Sequence, residues 1–158
     1  MTKIFGVKTK MAIEINDLDL TKIKQYGEVS YPNESCGLLI GKQQNGFKKI
    51  YSIFPAENAR EEEKQYHRFL ITPQTFLEAQ KFAEKQNSEI IGFYHSHPDS
   101  EAEPSAYDKE HAWPWYSYMI VSVKKNSAER ITSWILAEDR SKFDEEEIKI
   151  THSTLEKK

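Results

Sequence analysis

The stretch EIIGFYHSHPDSEAEPSAYD, residues 89–108, decides the fold class and raises the question of function. It begins with an apolar run that is typical of a buried strand, and Pro98 ends that strand. His95 and His97 lie just before the proline, two positions apart. Because side chains at i and i+2 of a strand point to the same face, the two imidazoles are predicted to lie side by side. They would lie at the end of the strand, where pockets form.

The last part of this stretch, PSAYD, is typical of the beginning of a helix. Ser105 has the position of an N-cap, and Asp108 has the position that completes a capping box. Asp108 therefore has two possible roles, as a capping residue or as a third metal ligand beside His95 and His97. Two histidines and one aspartate leave one tetrahedral position open, as in a catalytic zinc site. Iron(II) uses the same ligand types and remains an alternative.

A candidate general base lies upstream, in the segment YPNESCGLLIG. Glu34 is placed between Pro32, which ends a predicted helix, and an apolar run that is typical of a buried strand. A metal-bound water needs a group that takes its proton, and a carboxylate can do this. Sequence spacing alone does not bring Glu34 to the metal, and an exposed loop glutamate is the simpler interpretation of this residue by itself.

Hydrophobic periodicity along the rest of the chain predicts an α/β domain in which strands outnumber helices. The spacing of apolar residues predicts three helices. The first begins at Asn16 or Asp17, the second begins after Thr72, and the third is short and covers 105–112. Asn45 and Gly46 form a hairpin signal between two strands. The remaining expectations are an edge strand in 1–15, strands at 36–42, 47–55, 68–72, 89–97, 115–125, 130–139 and 146–152, an exposed loop at 56–67, and a frayed tail at 153–158.

Composition limits the classes of partner and compartment. The 158 residues favour a single domain over 1–158, and a net charge of −3 without a basic stripe argues against nucleic acid. No apolar stretch approaches about 18 residues, so no membrane partner is expected. The N-terminal residues lack the pattern of a signal peptide. Cys36 is the only cysteine, which excludes an internal disulfide and favours the cytoplasm.

Other reactive side chains have simpler interpretations. Cys36 begins a buried strand and is expected to be a small core residue, although it is two positions from Glu34. Ser96 is expected to point away from the face of the two histidines. His111 follows Asp108 by three residues, so a contact behind the ligands is possible. The remaining histidines and the tryptophans are expected at the surface, at caps, or in the core and its rim: His67, His152, Trp113, Trp115 and Trp134.

Taken together, these segments resemble the JAMM (MPN+) metalloprotease motif. The motif is a glutamate followed by H-S-H-P, six residues and S-x-x-D, and it is present here as Glu34, residues 95–98, Ser105 and Asp108. The flanks P-x-E-S-C-G-L-L-x-G and I-I-G-F-Y-H-S-H-P are similar to the compact bacterial branch. The resemblance covers about residues 16–150. It implies the JAB/MPN fold, a curved mixed β-sheet flanked by helices and similar to that of cytidine deaminases.

The resemblance also implies a function. One Zn²⁺ per chain would be bound by His95, His97 and Asp108, with a water in the fourth position. Glu34 would be the general base and then the proton donor to the leaving amine, and Ser105 would support the oxyanion. The expected reaction is hydrolysis of the peptide or isopeptide bond after the C-terminal Gly-Gly of a ubiquitin-like or sulfur-carrier protein.

Two alternatives come from other classes. The domain could be a binding module that retains zinc and holds a ubiquitin-like partner without cleaving it, although a scaffold needs neither Glu34 nor Ser105. It could also be a zinc hydrolase of small amides or nucleobases, but the deaminase signature Pro-Cys-x-x-Cys needs a second cysteine. The sequence leaves open the identity of the carrier, the type of bond that is cleaved, the oligomeric state and the role of the loop at 56–67.

Overall fold

The structure, a computed structural model, describes residues 11–59 and 71–152. Some of the predicted features lie outside the described residues: most of the strand at 68–72, most of the loop at 56–67, His67 and the tail at 153–158. The predicted α/β class with more strands than helices is confirmed. The elements are β1 Ala12–Asn16, α1 Asp17–Ser30, β2 Cys36–Gln44, β3 Phe47–Ala56, α2 Pro73–Lys85, β4 Glu89–Pro98, α3 Ala106–His111, β5 Ser117–Lys124, β6 Ser127–Leu136 and β7 Phe143–Thr151.

The seven strands form one mixed sheet that closes on itself in the order β1-β3-β2-β4-β5-β6-β7. β4 and β5 are parallel, and β1 is parallel to both β3 and β7, while the other pairs are antiparallel. The predicted curved mixed sheet is therefore confirmed, and its closure is an additional feature. Closure places β4, which carries the histidine pair, in the interior of the sheet between β2 and β5.

Residues 1–10 of the predicted N-terminal edge strand lie outside the described residues, and in the described part, β1, the predicted edge position is wrong. Ala12, Ile13 and Glu14 pair with β3 on one side and with β7 on the other, so β1 closes the barrel. Ile13 and Ile15 are fully buried. Alternation of apolar residues indicates which face of a strand is buried but not how many strands pair with it. The second neighbour of β1 is β7, which comes from the other end of the chain, so no local pattern indicates this pairing.

Helix α1 packs against the inner side of the curved sheet. Leu20 and Ile23 join a core that contains Ile13, Tyr94 and Met119. Gly27 comes so close to the sheet that an added Cβ would lie 3.0 Å from a methyl of Val123 and 3.2 Å from Cβ of Ser96. Glycine is therefore needed for the helix to approach β4 and β5. The predicted cap is confirmed, since the Asn16 side chain accepts a hydrogen bond of 2.8 Å from the Asp19 N–H.

Helix α2 packs on the opposite face of the sheet. Ala79 and Ala83 are fully buried against Leu38, Ile40 and Ile90. Burial of a leucine or isoleucine side chain, as at Leu38, Ile40 and Ile90, contributes about 1.5–3 kcal/mol to folding. Thr72 is the N-cap and Pro73 occupies the first turn, as the sequence predicts. The site described below lies on this same outer face, above the N-terminal end of α2.

Two tight turns connect the antiparallel strands. Asn45 and Gly46 have φ values of 54° and 82°, which confirms the predicted hairpin turn. The second turn lies at Lys125 and Asn126, with φ values of 52° and 73°, so β6 begins at Ser127 and not at residue 130. The polar residues that follow this turn pair with β5, although their composition is typical of a loop. No helix in the described part of the chain is both long and apolar enough to cross a membrane.

Candidate metal centre

The end of β4 presents the histidine pair on the outer face of the sheet, as the sequence predicts. His95 and His97 are 1% and 6% exposed, and their Nε2 atoms lie 3.2 Å apart. Burial of two polar rings side by side needs compensation by hydrogen bonds or by a bound ion. A third group therefore has to complete this site.

Helix α3 supplies the third group. Ser105 is its N-cap, and the capping box is complete: Ser105 Oγ accepts from the Asp108 N–H at 3.0 Å, and Asp108 Oδ2 accepts from the Ser105 N–H at 2.8 Å. The same Oδ2 lies 3.1 Å from His97 Nε2 and 3.4 Å from His95 Nε2. Asp108 thus completes the capping box, and the cap fixes its carboxylate where it faces the two imidazoles.

These three residues fit a small divalent cation. Each offers one ligand atom, and the atoms lie 3.1–3.4 Å apart. Four ligands at about 2.0–2.1 Å around a tetrahedral zinc ion would be separated by about 3.3 Å. His97 Nδ1 donates to the carbonyl oxygen of Glu101 at 2.9 Å, so in the neutral ring Nε2 carries the lone pair that a metal needs. The longer bonds and higher ligand number of calcium do not match this set.

The pKa of the carboxylate and the pKa values of the two imidazoles shift in ways that depend on one another. Burial lowers the pKa of His95 below its usual range. Burial also acts to lower the pKa of His97, but its hydrogen bond to Asp108 and the charge of that carboxylate outweigh burial and raise it. For Asp108, burial opposes ionisation, yet the two imidazoles hold its pKa well below the usual value. The three side chains therefore interact as one unit.

Glu34 is a buried residue and not an exposed loop glutamate. It immediately precedes Ser35 and β2 and is 6% exposed, and its carbonyl oxygen accepts a hydrogen bond of 3.1 Å from the Asn58 side chain. The charge of Glu34 raises the pKa of His97, and it is a smaller cause than burial and the contacts of His97 with Asp108 and Glu101. The fold therefore brings the charge of Glu34 within electrostatic range of His97.

A pair of buried serines ties the Glu34 segment to β4. The Ser35 N–H donates to Ser96 Oγ at 2.8 Å, the Ser96 N–H donates to the Ser35 carbonyl oxygen at 3.1 Å, and the two hydroxyl oxygens lie 3.2 Å apart. Ser96 points away from the ligand face, as expected. Sequence reasoning missed the anchoring roles of Ser96 and Asn58, because nothing local in the chain indicates which distant backbone group each would bind.

Cys36 lies directly opposite His95 in the β2–β4 pair and is 2% exposed. Burial, and then the charge of Glu34, raise the pKa of its thiol to about 12. A nucleophilic cysteine needs a lowered pKa and access to solvent. Cys36 is therefore a protonated core residue, in agreement with the simpler interpretation of the sequence.

A cavity of about 450 Å³ opens beside the ligands, and His95 and Asp108 form part of its wall. His111 also lines the cavity, where its ring stacks on Tyr107 at 4.1 Å and its Nδ1 donates to the Tyr107 carbonyl oxygen. Most of the wall is aromatic, and this lining was not foreseen from the sequence. The aromatic residues are Phe76, Phe93, Tyr107, Trp113, Tyr116 and Tyr118.

Comparison with known proteins gives relatives in sequence and in structure. The family described as prokaryotic homologs of the JAB domain has a model that matches residues 20–137. A desampylase from Haloferax volcanii is 29% identical over 116 residues, which are 73% of this chain and 81% of that protein. A protein from Desulfitobacterium hafniense, known from its solution structure, is 28% identical with a TM-score of 0.78 and coverage of 90% of this chain and 94% of its own. A JAB1/MPN domain protein from Archaeoglobus fulgidus is 16% identical, with a TM-score of 0.51 over 89% of this chain and 99% of its own, and is similar in fold.

Proposed function

This chain belongs to the prokaryotic homologs of the JAB domain and has the JAB/MPN fold, and from this premise we propose that it is a zinc-dependent hydrolase of amide bonds. Its substrate is the peptide or isopeptide bond that follows the C-terminal Gly-Gly of a ubiquitin-like or sulfur-carrier protein. The observation that supports this most directly is the convergence of His95 Nε2, His97 Nε2 and Asp108 Oδ2 at separations of 3.1–3.4 Å.

In this proposal His95, His97 and Asp108 would hold the zinc ion. When bound, zinc supplies a water of lowered pKa and polarises the carbonyl group that is attacked. The second nitrogen of His97 is held by the Glu101 carbonyl, and Asp108 is held by the Ser105 N–H, so both ligands are oriented before an ion arrives.

Glu34 moves the proton. Its carboxylate accepts a proton from the attacking water, whose oxygen forms a bond to the acyl carbon. The bond between that carbon and the amide nitrogen then breaks, and Glu34 returns the proton to the nitrogen, which leaves as an amine. The other product is the carboxylic acid of the carrier, whose proton passes to the released amine at neutral pH. A buried carboxylate suits this task, because exclusion of water strengthens its interactions with the reacting groups.

Ser105 assists at the carbonyl oxygen. Its Oγ accepts the Asp108 N–H, which leaves the hydroxyl hydrogen available as a donor. That hydrogen points toward the carbonyl oxygen of the substrate as negative charge develops there. Loss of one such donor typically lowers the rate by about 10²–10³.

The proposed substrate class is supported by a relative in sequence. A relative named desampylase removes a ubiquitin-like modifier, and we carry this class over to the present chain. The single buried Cys36 also agrees with a cytoplasmic location, where thiols stay reduced.

A metal assay combined with a cleavage assay tests the proposal. Purified protein is analysed for zinc and then incubated with a ubiquitin-fold carrier whose terminal Gly-Gly is fused to a reporter peptide. We expect about one zinc per chain and cleavage after the second glycine that stops when zinc is chelated. A zinc-loaded protein that binds the carrier tightly and leaves the fusion intact would instead identify a binding module.

A further inference from the structure

The cavity beside the ligands is too large and too apolar to serve a diglycine end alone. It measures about 450 Å³ and shares His95 and Asp108 with the proposed metal centre. Two glycines contribute no side chain to fill it. An apolar cavity that opens on a reaction centre is a typical subsite for a substrate side chain.

The aromatic floor of this cavity is already ordered by ring contacts. Phe93 stacks on Tyr118 with centroids 5.5 Å apart, meets Tyr116 edge-on at 5.3 Å, and stacks on Phe76 from α2 at 6.3 Å. The Tyr118 hydroxyl accepts the N–H of Trp113, another lining residue, at 2.8 Å, so this polar atom is engaged within the wall. The floor therefore offers aromatic faces and edges, which favour an aromatic or large aliphatic side chain.

Trp115, which lies between α3 and β5 next to the cavity wall, has an unfavourable backbone conformation. Trp115 has a φ of 86°, which is rare for a bulky residue. Buried Lys48, from β3, donates to the Trp115 carbonyl oxygen and, at 2.9 Å, to Ser117 Oγ, and its ammonium group lies 5.0 Å from the Trp115 ring. Tyr116 of the cavity wall follows directly. Strain of this kind clusters at functional sites, which supports a binding role for the wall.

The position of Glu34 indicates which part of the substrate enters the cavity. Glu34 lies before β2, on one side of β4, and it is not among the described residues that line the cavity. The amine that receives the proton from Glu34 must leave near it. The wall of the cavity comes from α2, β4, α3 and the start of β5 and not from the Glu34 segment, so the cavity then faces the acyl part of the substrate. Two extended residues span about 7 Å, so the side chain before the diglycine reaches the cavity.

We propose that the aromatic cavity is a specificity subsite for an aromatic or large aliphatic side chain on the carrier residue that precedes the terminal Gly-Gly. This inference rests on the proposed function for the identity of the scissile bond. It adds a requirement that a diglycine end by itself does not contain.

The first measurement is cleavage by the zinc-loaded protein. Carrier fusions differ only in the residue before Gly-Gly, which is Phe, Leu, Ser or Asp. We expect kcat/KM for Phe and Leu to exceed that for Ser by at least about tenfold and that for Asp by more. Phe76→Ala should reduce the Phe-to-Ser ratio to below about threefold, while Leu77→Ala, on the same helix and exposed, should preserve it. Equal rates for all four carriers, or a Phe-to-Ser ratio that Phe76→Ala leaves unchanged, would overturn the subsite.

The second measurement is independent of catalysis. Short peptides ending in Phe-Gly-Gly or Ser-Gly-Gly are titrated against the zinc-loaded protein by calorimetry. At least about tenfold tighter binding of the Phe peptide, reduced by Phe76→Ala, supports the subsite even if no fusion is cleaved, in which case only the proposed function fails. Equal affinity of the two peptides, or no binding of either, overturns the subsite whatever the cleavage assay gives.

Discussion

The Ser35 N–H donates a buried hydrogen bond of 2.8 Å to the Oγ atom of Ser96, which lies between the two histidines of β4. Ser35 immediately follows Glu34, so this bond fixes the base segment against the ligand strand. The Ser96 N–H returns a bond to the Ser35 carbonyl oxygen at 3.1 Å. The position of the proposed base relative to the proposed metal ligands therefore depends on Ser96, whose side chain points away from the face that carries His95 and His97.

Ser96→Ala should lower kcat by about tenfold and leave zinc content unchanged. The change removes the acceptor of a buried N–H, which should also lower the free energy of unfolding by about 1–3 kcal/mol. The control is Ser133→Ala, which removes another buried serine hydroxyl, bonded to Glu146 at 2.7 Å and distant in sequence from the ligands. Steady-state kinetics and chemical denaturation of both variants check this, and equal kcat losses in the two would contradict an anchoring role.

Metal binding and proton transfer should be separable. His95→Ala removes a ligand, so we expect loss of both zinc and activity. Glu34→Gln keeps a side chain of the same shape but no longer accepts a proton, so we expect full zinc content and a loss of activity of at least about 10². Elemental analysis of zinc and the fusion cleavage assay measure the two properties. Retained cleavage in Glu34→Gln would refute the assignment of the base.

Ser105 should contribute to both stability and rate. Ser105→Ala removes the N-cap of α3 and the proposed donor, so we expect a loss of about 1 kcal/mol in unfolding free energy and a decrease of about 10²–10³ in kcat. Ser105→Thr keeps a hydroxyl in the same position and should recover most of both. A Thr variant with restored stability and no recovery of kcat would limit Ser105 to the cap.

Cys36 should be unreactive in the folded protein. Its burial and the nearby charge of Glu34 raise the pKa of the thiol to about 12, so almost no thiolate exists at pH 8. We expect iodoacetamide to modify the denatured protein at least about a hundredfold faster than the native protein, as followed by mass spectrometry. Rapid alkylation of the native protein with loss of activity would reopen the interpretation of Cys36 as a reactive thiol.

Lys48 should make stability rise with pH above neutrality. Burial lowers its pKa to about 8, with the charge of Glu146 acting in the opposite direction. Between about pH 8 and pH 10.5 the unfolded chain binds more protons at this residue than the folded one does, so the contribution of Lys48 to stability increases with pH. Relative to Lys48→Met, the wild type should gain up to roughly 3 kcal/mol across this range. Urea denaturation at several pH values measures the difference, and a constant or decreasing difference would contradict the shift.

The parts of the site that lie close together in the chain could be predicted from sequence. The period of two in a strand places His95 and His97 on one face, and the S-x-x-D spacing places Asp108 at the start of a helix. The structure agrees with both and adds that one Asp108 oxygen serves the cap and faces the imidazoles. The roles of Glu34 and Ser105 in catalysis stay predictions.

The sequence by itself determined the elements, most of their boundaries, and the local geometry of the histidines and their capped helix, because periodicity, turn residues and caps act over a few residues. Only the tertiary structure decided that β1 lies between β3 and β7, that Ser96 anchors Ser35, and that Lys48 holds Trp115 beside an aromatic cavity. Each of these contacts joins residues that are distant in the chain. Their partners are selected by the closure of the sheet and the packing of its two faces, and no local pattern encodes either.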